Sequence, residues 1–118
     1  MLPKAIILED DAAQCEIFTA AVRKAGYEVL CFNDGEQGLE YLKTNTTDLI
    51  VLDLHLPGLG GEHIAHALRK LPHLSRARLI LATADDRLAD SLAELSDLIL
   101  LKPVSYIQLC ELAERLKP

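Results

Sequence analysis

Four short aliphatic runs constrain this chain more than anything else in it: "AIIL" (5–8), "LIVL" (49–52), "LILA" (79–82) and "LILL" (98–101). No polar residue alternates within them, so each reads as a strand covered on both faces rather than one half open to water. A fifth run, "YEVLCF" (27–32), carries Glu28 near its start and reads as an edge strand. Between the runs lie segments of helical period. Cys15, Phe18, Val22 and Ala25 recur at three and four, with Ile17 and Ala21 widening the stripe and Gly26 ending it. "NDGEQGLEYL" is a short helix capped by Asn33 or Asp34. Ile64, Ala67, Leu68 and Leu71 share a face of the third helix; Leu88, Leu92 and Leu95 mark a short, weak fourth; Ser105 caps a fifth with Leu109, Leu112, Ala113 and Leu116 inward. Strand followed by helix, five times over, implies an α/β domain with a parallel sheet between two helical layers.

In a parallel sheet every strand ends at the same edge, and ligand sites of open α/β sheets form there. The first run exits into Glu9, Asp10 and Asp11, the third into Asp53, the fourth into Thr83 with Asp85 and Asp86 beyond, the fifth into Lys102 and Pro103. Two carboxylates about 4 Å apart repel by roughly 4 kcal/mol at an effective dielectric near 20. Three cannot all stay ionised unless a cation joins them or a proton is taken up, and Lys102 supplies only one charge. No Cys or paired His stands at these strand ends, so the donors are oxygens and the ion they suit is Mg²⁺ rather than zinc. Thr83 and Lys102 are suited to hold phosphate oxygens. The edge therefore reads as a site where a carboxylate receives a phosphoryl group, with metal and lysine screening the charge.

"AIILEDD", "LIVLDLHLPGLGG", "LILATADD" and "LILLKP", in this order and spacing, resemble the receiver domain of two-component response regulators, in the manner of the chemotaxis regulators. The match covers nearly the whole chain. The resemblance implies a flavodoxin-like doubly wound (βα)5 fold with strand order 2-1-3-4-5. It implies that Asp53 is the phosphoacceptor, that Asp10 and Asp53 ligate Mg²⁺ (or Mn²⁺) directly, that Glu9 acts largely through water and that His55 offers its backbone carbonyl. Thr83 would hydrogen-bond the phosphoryl group and Lys102 would pair with it, before a cis bond to Pro103. The side chains of His55 and Asp85 fall where such domains tune dephosphorylation. Two features depart from the family pattern: Ile99 stands at the switch position where an aromatic is usual, and the segment between Thr83 and Lys102 is a few residues short, so the fourth helix is expected to be clipped.

The implied role is a phosphoacceptor switch rather than an enzyme, served by a sensor histidine kinase or phosphotransfer protein and acting on a partner or an attached output domain. The rival readings are a pseudo-receiver that binds a partner without phosphorylation, an aspartyl phosphatase, for which "EDDAA" lacks the DxD arrangement, and a flavin carrier, for which phosphate loop and stacking aromatics are missing. The net charge of −6 argues against a nucleic-acid surface. No apolar run reaches membrane-spanning length. The three cysteines, Cys15, Cys31 and Cys110, are odd in number and without metal spacing, so they read as reduced, mostly buried residues of a cytoplasmic protein. His63 and His66 read as a solvated face, and Asp11 as a helix cap. Residues 1–118 read as one domain, either a complete protein or the first domain cut from a longer one, with at most a weak homodimer.

Overall fold

Lys4–Leu8 (β1), Glu28–Phe32 (β2), Leu49–Asp53 (β3), Arg78–Thr83 (β4) and Leu98–Leu101 (β5) pair in parallel in the order β2-β1-β3-β4-β5. The computed structural model describes residues 1–118 throughout. Five helices fill the crossovers: Ala12–Lys24 (α1), Gly35–Thr44 (α2), Gly61–Arg69 (α3), Asp86–Leu92 (α4) and Tyr106–Arg115 (α5). The expected fold class, strand order and edge position of β2 are all present.

Side chains alternate across the sheet, and this sorts the core into two layers. Ala5, Ile7, Leu49, Val51, Ile80, Ala82 and Leu100 face one way, where α1 and α5 cover them with Phe18, Val22, Leu109 and Ala113. Ile6, Leu8, Ile50, Leu52, Leu79 and Leu81 face the other way, under α2, α3 and α4. β1, β3 and β4 carry the unbroken burial their sequences predict. β5 does not: Leu98 and Ile99 are half-buried and Leu101 is exposed, because β5 is the second edge strand and has a short helix beside it. Ile17 also departs from expectation. Ala21, one turn later on that side of α1, is buried, but Ile17 is 42% exposed.

Caps match local chemistry. Asp11, Asp34, Asp85 and Ser105 each accept a backbone N–H of the helix they precede. The fourth helix is clipped as expected: α4 has seven residues and runs straight into a 3-10 turn, Ala93–Leu95. Arg69 anchors the exit of this segment. Its guanidinium donates to Leu95 O at 2.7 Å, to Ala77 O at 2.9 Å and to Asp97 at 3.2 Å, while Asp97 accepts from Leu79 N at 2.7 Å.

On the α1/α5 side, Tyr27 is buried and its hydroxyl donates to Ala113 O at 2.7 Å. It thereby satisfies a carbonyl in the last turn of α5, where helices leave such groups free. Burial first, then the nearby Asp48, pushes the phenol up to about 12. Tyr27→Phe should lose this bond with little change in packing, costing about 1 kcal/mol in a urea titration at unchanged slope.

The three cysteines are not all reduced, contrary to the expectation from their number and spacing. Cys15 and Cys31 are joined in a disulfide with Cα atoms 6.4 Å apart, and Cys110 alone is free. The cause lies in the register. Cys31 pairs with Ile7 and so belongs to the face that α1 covers, and Cys15 lies on the inward stripe of α1, three residues before Phe18.

Candidate functional site

The same alternation that builds the core aims the site. Continuing the row of Ile7, Val51 and Leu100 one step past or at the strand ends gives Glu9, Asp53 and Lys102. β4 lies between β3 and β5, so Lys102 must pass over it to reach Asp53. The residue of β4 opposite Asp53 and Leu100 is Ala82, small enough to leave the path open. The Lys102 ammonium then sits 3.2 Å from Asp53 Oδ2 and 3.2 Å from Glu9 Oε1.

Backbone groups fix the remaining carboxylate atoms. Asp53 Oδ1 accepts from His55 N at 3.0 Å, Glu9 Oε2 from Asp11 N at 3.3 Å, and Glu9 N donates to Phe32 O at 3.0 Å. Glu9 and Asp53 are buried, and Asp10, beside them, is exposed. One carboxylate oxygen from each of Glu9, Asp10 and Asp53 lies within 4.8 Å of the others.

Charge decides what such a cluster does. Three acids face one lysine, so one acid is driven toward its neutral form. Burial, then the hydrogen bond to Asp53 and its charge, raises Glu9 to about 7. Burial works against the Lys102 ammonium, but attraction to Asp53 and Glu9 outweighs it and holds its pKa above the usual value. Protonation of Glu9 and binding of a cation are thus two ways to offset the same surplus negative charge. An all-oxygen donor set with surplus negative charge fits a hard divalent cation of the Mg²⁺ type.

The other expected residues fall as follows. Thr83 is fully buried at the end of β4. Its hydroxyl accepts from Asp85 N at 3.0 Å and meets the His55 ring at 2.8 Å, a contact the sequence did not suggest. Asp85 caps α4 through Arg87 N, and that backbone hydrogen bond is the main cause of its lowered pKa. Ile99 is half-buried against the α2/α3 layer. The Lys102–Pro103 bond is cis. Asp11 caps α1, and His63 and His66 are exposed on α3. Glu9 was expected to act mainly through water; here it also contacts Lys102 directly.

A doubly wound α/β domain with an acidic cluster and a lysine at the carboxyl edge of its sheet is the class that fold and site define. A sequence model of the response regulator receiver domain matches residues 5–114, and the chain belongs to that family, the receivers of two-component systems. It is 30% identical over 112 residues to the phosphate regulon transcriptional regulatory protein PhoB of Rhizobium meliloti, covering 92% of this chain and 49% of that protein. The chemotaxis response regulator CheY4 of Vibrio cholerae superposes with a TM-score of 0.89 at 19% identity, over 98% of this chain and 99% of that one. A CheY-like receiver domain from Methylobacillus flagellatus gives a TM-score of 0.88 at 25% identity, over 99% and 100%. The chain spans about half or less of the length of the curated relatives it matches. No helix is long and apolar enough to cross a membrane.

Proposed function

We propose that residues 1–118 form one receiver domain that takes a phosphoryl group onto Asp53 from a histidine kinase or phosphotransfer protein, and then changes its contacts with a partner or an attached output domain. The observation that carries this reading is the convergence of Glu9, Asp10 and Asp53 around the Lys102 ammonium. Asp53 is the nucleophile. One of its oxygens bonds phosphorus as the donor's P–N bond breaks, and the departing imidazole takes a proton. His55 N–H and Lys102 hold the two Asp53 oxygens in fixed directions, which lowers the cost of orienting the attack. Asp10, Asp53 and the His55 carbonyl, with Glu9 through water, would hold Mg²⁺ or Mn²⁺, which would supply charge neutralisation for the incoming oxygens. Thr83 then turns its hydroxyl to the phosphoryl group, and Lys102 pairs with it. The side chains of His55 and Asp85 set the lifetime of the acyl phosphate, and Ile99 limits how the shift of Thr83 spreads to β5.

The test is mass spectrometry after incubation with Mg²⁺ and a small acyl-phosphate or phosphoramidate donor. The expected result is one added phosphoryl group on the peptide containing Asp53, absent in Asp53→Ala and absent with chelator. No labelling from any donor, a cognate kinase included, would turn the reading into a phosphorylation-independent binding module. Sustained turnover of phosphomonoesters would make the protein a phosphatase.

A further inference from the structure

The disulfide sits where it can act on the acidic turn. Cys15 is in the first turn of α1, and its own N–H donates to Asp11 O at 2.9 Å. Cys31 is the penultimate residue of β2, and its neighbour Phe32 accepts the Glu9 N–H at 3.0 Å. The segment 9–11, which carries Glu9 and Asp10, is thus hydrogen-bonded to the cross-linked helix turn at one end and beside the cross-linked strand at the other. Both half-cystines are partly exposed, so a thiol or a small disulfide can reach them. Their Cα separation of 6.4 Å lies inside the span a disulfide bridges without backbone movement.

We infer that Cys15 and Cys31 form a thiol–disulfide switch that sets the divalent-cation affinity of the cluster Glu9, Asp10 and Asp53. The inference rests on the cation-binding reading above. Oxidation is an exchange with a small-molecule disulfide: one protein thiolate attacks it and releases one thiol, then the second thiolate displaces the other. Two protein thiols and one disulfide become one protein disulfide and two small thiols, and a dithiol reverses the change. In reducing compartments disulfides of this kind are transient and regulatory rather than permanent. When the bond is closed, segment 9–11 is held in the arrangement that gathers the acids. When it opens, α1's first turn and the end of β2 separate more freely and the competent arrangement is only partly populated. Apparent affinity falls by that population, so a turn competent one-third of the time binds about threefold more weakly.

The experiment compares oxidised protein with protein held in a dithiol reductant. Peptide mapping scores the Cys15–Cys31 link, hydrogen exchange follows the amides of 9–16 without metal, and calorimetry follows Mn²⁺ binding. The expected result is slower exchange across 9–16 and at least about threefold tighter Mn²⁺ binding in the oxidised form. Cys15→Ser and Cys31→Ser should bind as the reduced protein does under both conditions, and Cys110→Ser should keep the difference. Thiols that never link under a small-molecule disulfide, or equal affinity and exchange in both states, would overturn the switch while leaving the cation site standing. Absence of Mn²⁺ binding in both states, even with the exchange difference present, would instead remove the cation-binding reading and the affinity switch built on it.

Discussion

Gly61→Ala should destabilise the domain by about 3 kcal/mol and lower its melting temperature by on the order of 10 °C or more. A Cβ at Gly61 would run into Leu54 Cα and lie 2.7 Å from Asp53 O and 2.9 Å from Leu54 C. These are backbone atoms at the end of β3, and no rotamer change can move them aside. Either α3 lifts from the sheet or the strand end shifts, and that strand end carries Asp53. The substitution should therefore slow phosphoryl acceptance even well below its melting temperature. Gly60→Ala is the control. Gly60 is the cap residue one place earlier with φ −62°, and a Cβ there meets nothing within 4 Å. Its melt should stay within roughly 0.5 kcal/mol of the parent. Equal melts for the two variants would show that α3 does not pack onto β3 as tightly as described.

Gly61 also illustrates what can be read from a sequence and what cannot. The glycines after Pro57 signal a turn, but only packing shows that Gly61 is where a helix start touches a strand end. Strand-end residues were legible because direction and alternation are set by local chemistry: apolar runs ending at Glu9, Asp53, Thr83 and Lys102 define one edge. The short α4 was legible too, from the length between Thr83 and Lys102. The Cys15–Cys31 link was available in principle, since Cys31 has the parity of Val29 and Cys15 lies on the stripe of Phe18. Counting cysteines by oddness and spacing concealed it. The His55 ring on Thr83 was not legible at all, because a rotamer of an exposed side chain depends on a partner from another strand. Ile17 and Leu101 failed for a related reason: an apolar residue shows that burial would be favourable, not that a neighbour is there to provide it.

The metal-free domain should be less stable at about pH 8 than at about pH 5 through Glu9 alone, and a divalent cation should reverse that loss. Glu9 titrates near 4.5 when unperturbed and about 7 in the fold, raised first by burial and then by its hydrogen bond to Asp53 and the Asp53 charge. Between those values the native state holds a proton that the unfolded chain has lost. The sign follows: the contribution is fully present below about 4.5 and is lost as pH rises through about 7. Its full size is roughly 3.5 kcal/mol, taking about 1.4 kcal/mol for each unit between 4.5 and about 7, and roughly 2.5 kcal/mol of it falls between about pH 5 and about pH 8. Lys102 stays charged throughout this window and cannot cancel the effect. Glu9→Gln isolates it, because a neutral amide of nearly the same shape has no such titration. Wild type and Glu9→Gln should match near pH 5, and the variant should be the more stable by roughly 2.5 kcal/mol near pH 8 in chelator. Millimolar Mg²⁺ should narrow the gap at that pH by stabilising wild type more than the variant, because Asp10 and Asp53 remain in both but only wild type has the Glu9 charge for the cation to offset. Paired denaturant titrations at the two pH values, with and without the cation, measure all four corners. A difference between wild type and variant that stays constant from pH 5 to 8 would mean that Glu9 ionises freely, and the charge argument for the cation would lose its foundation.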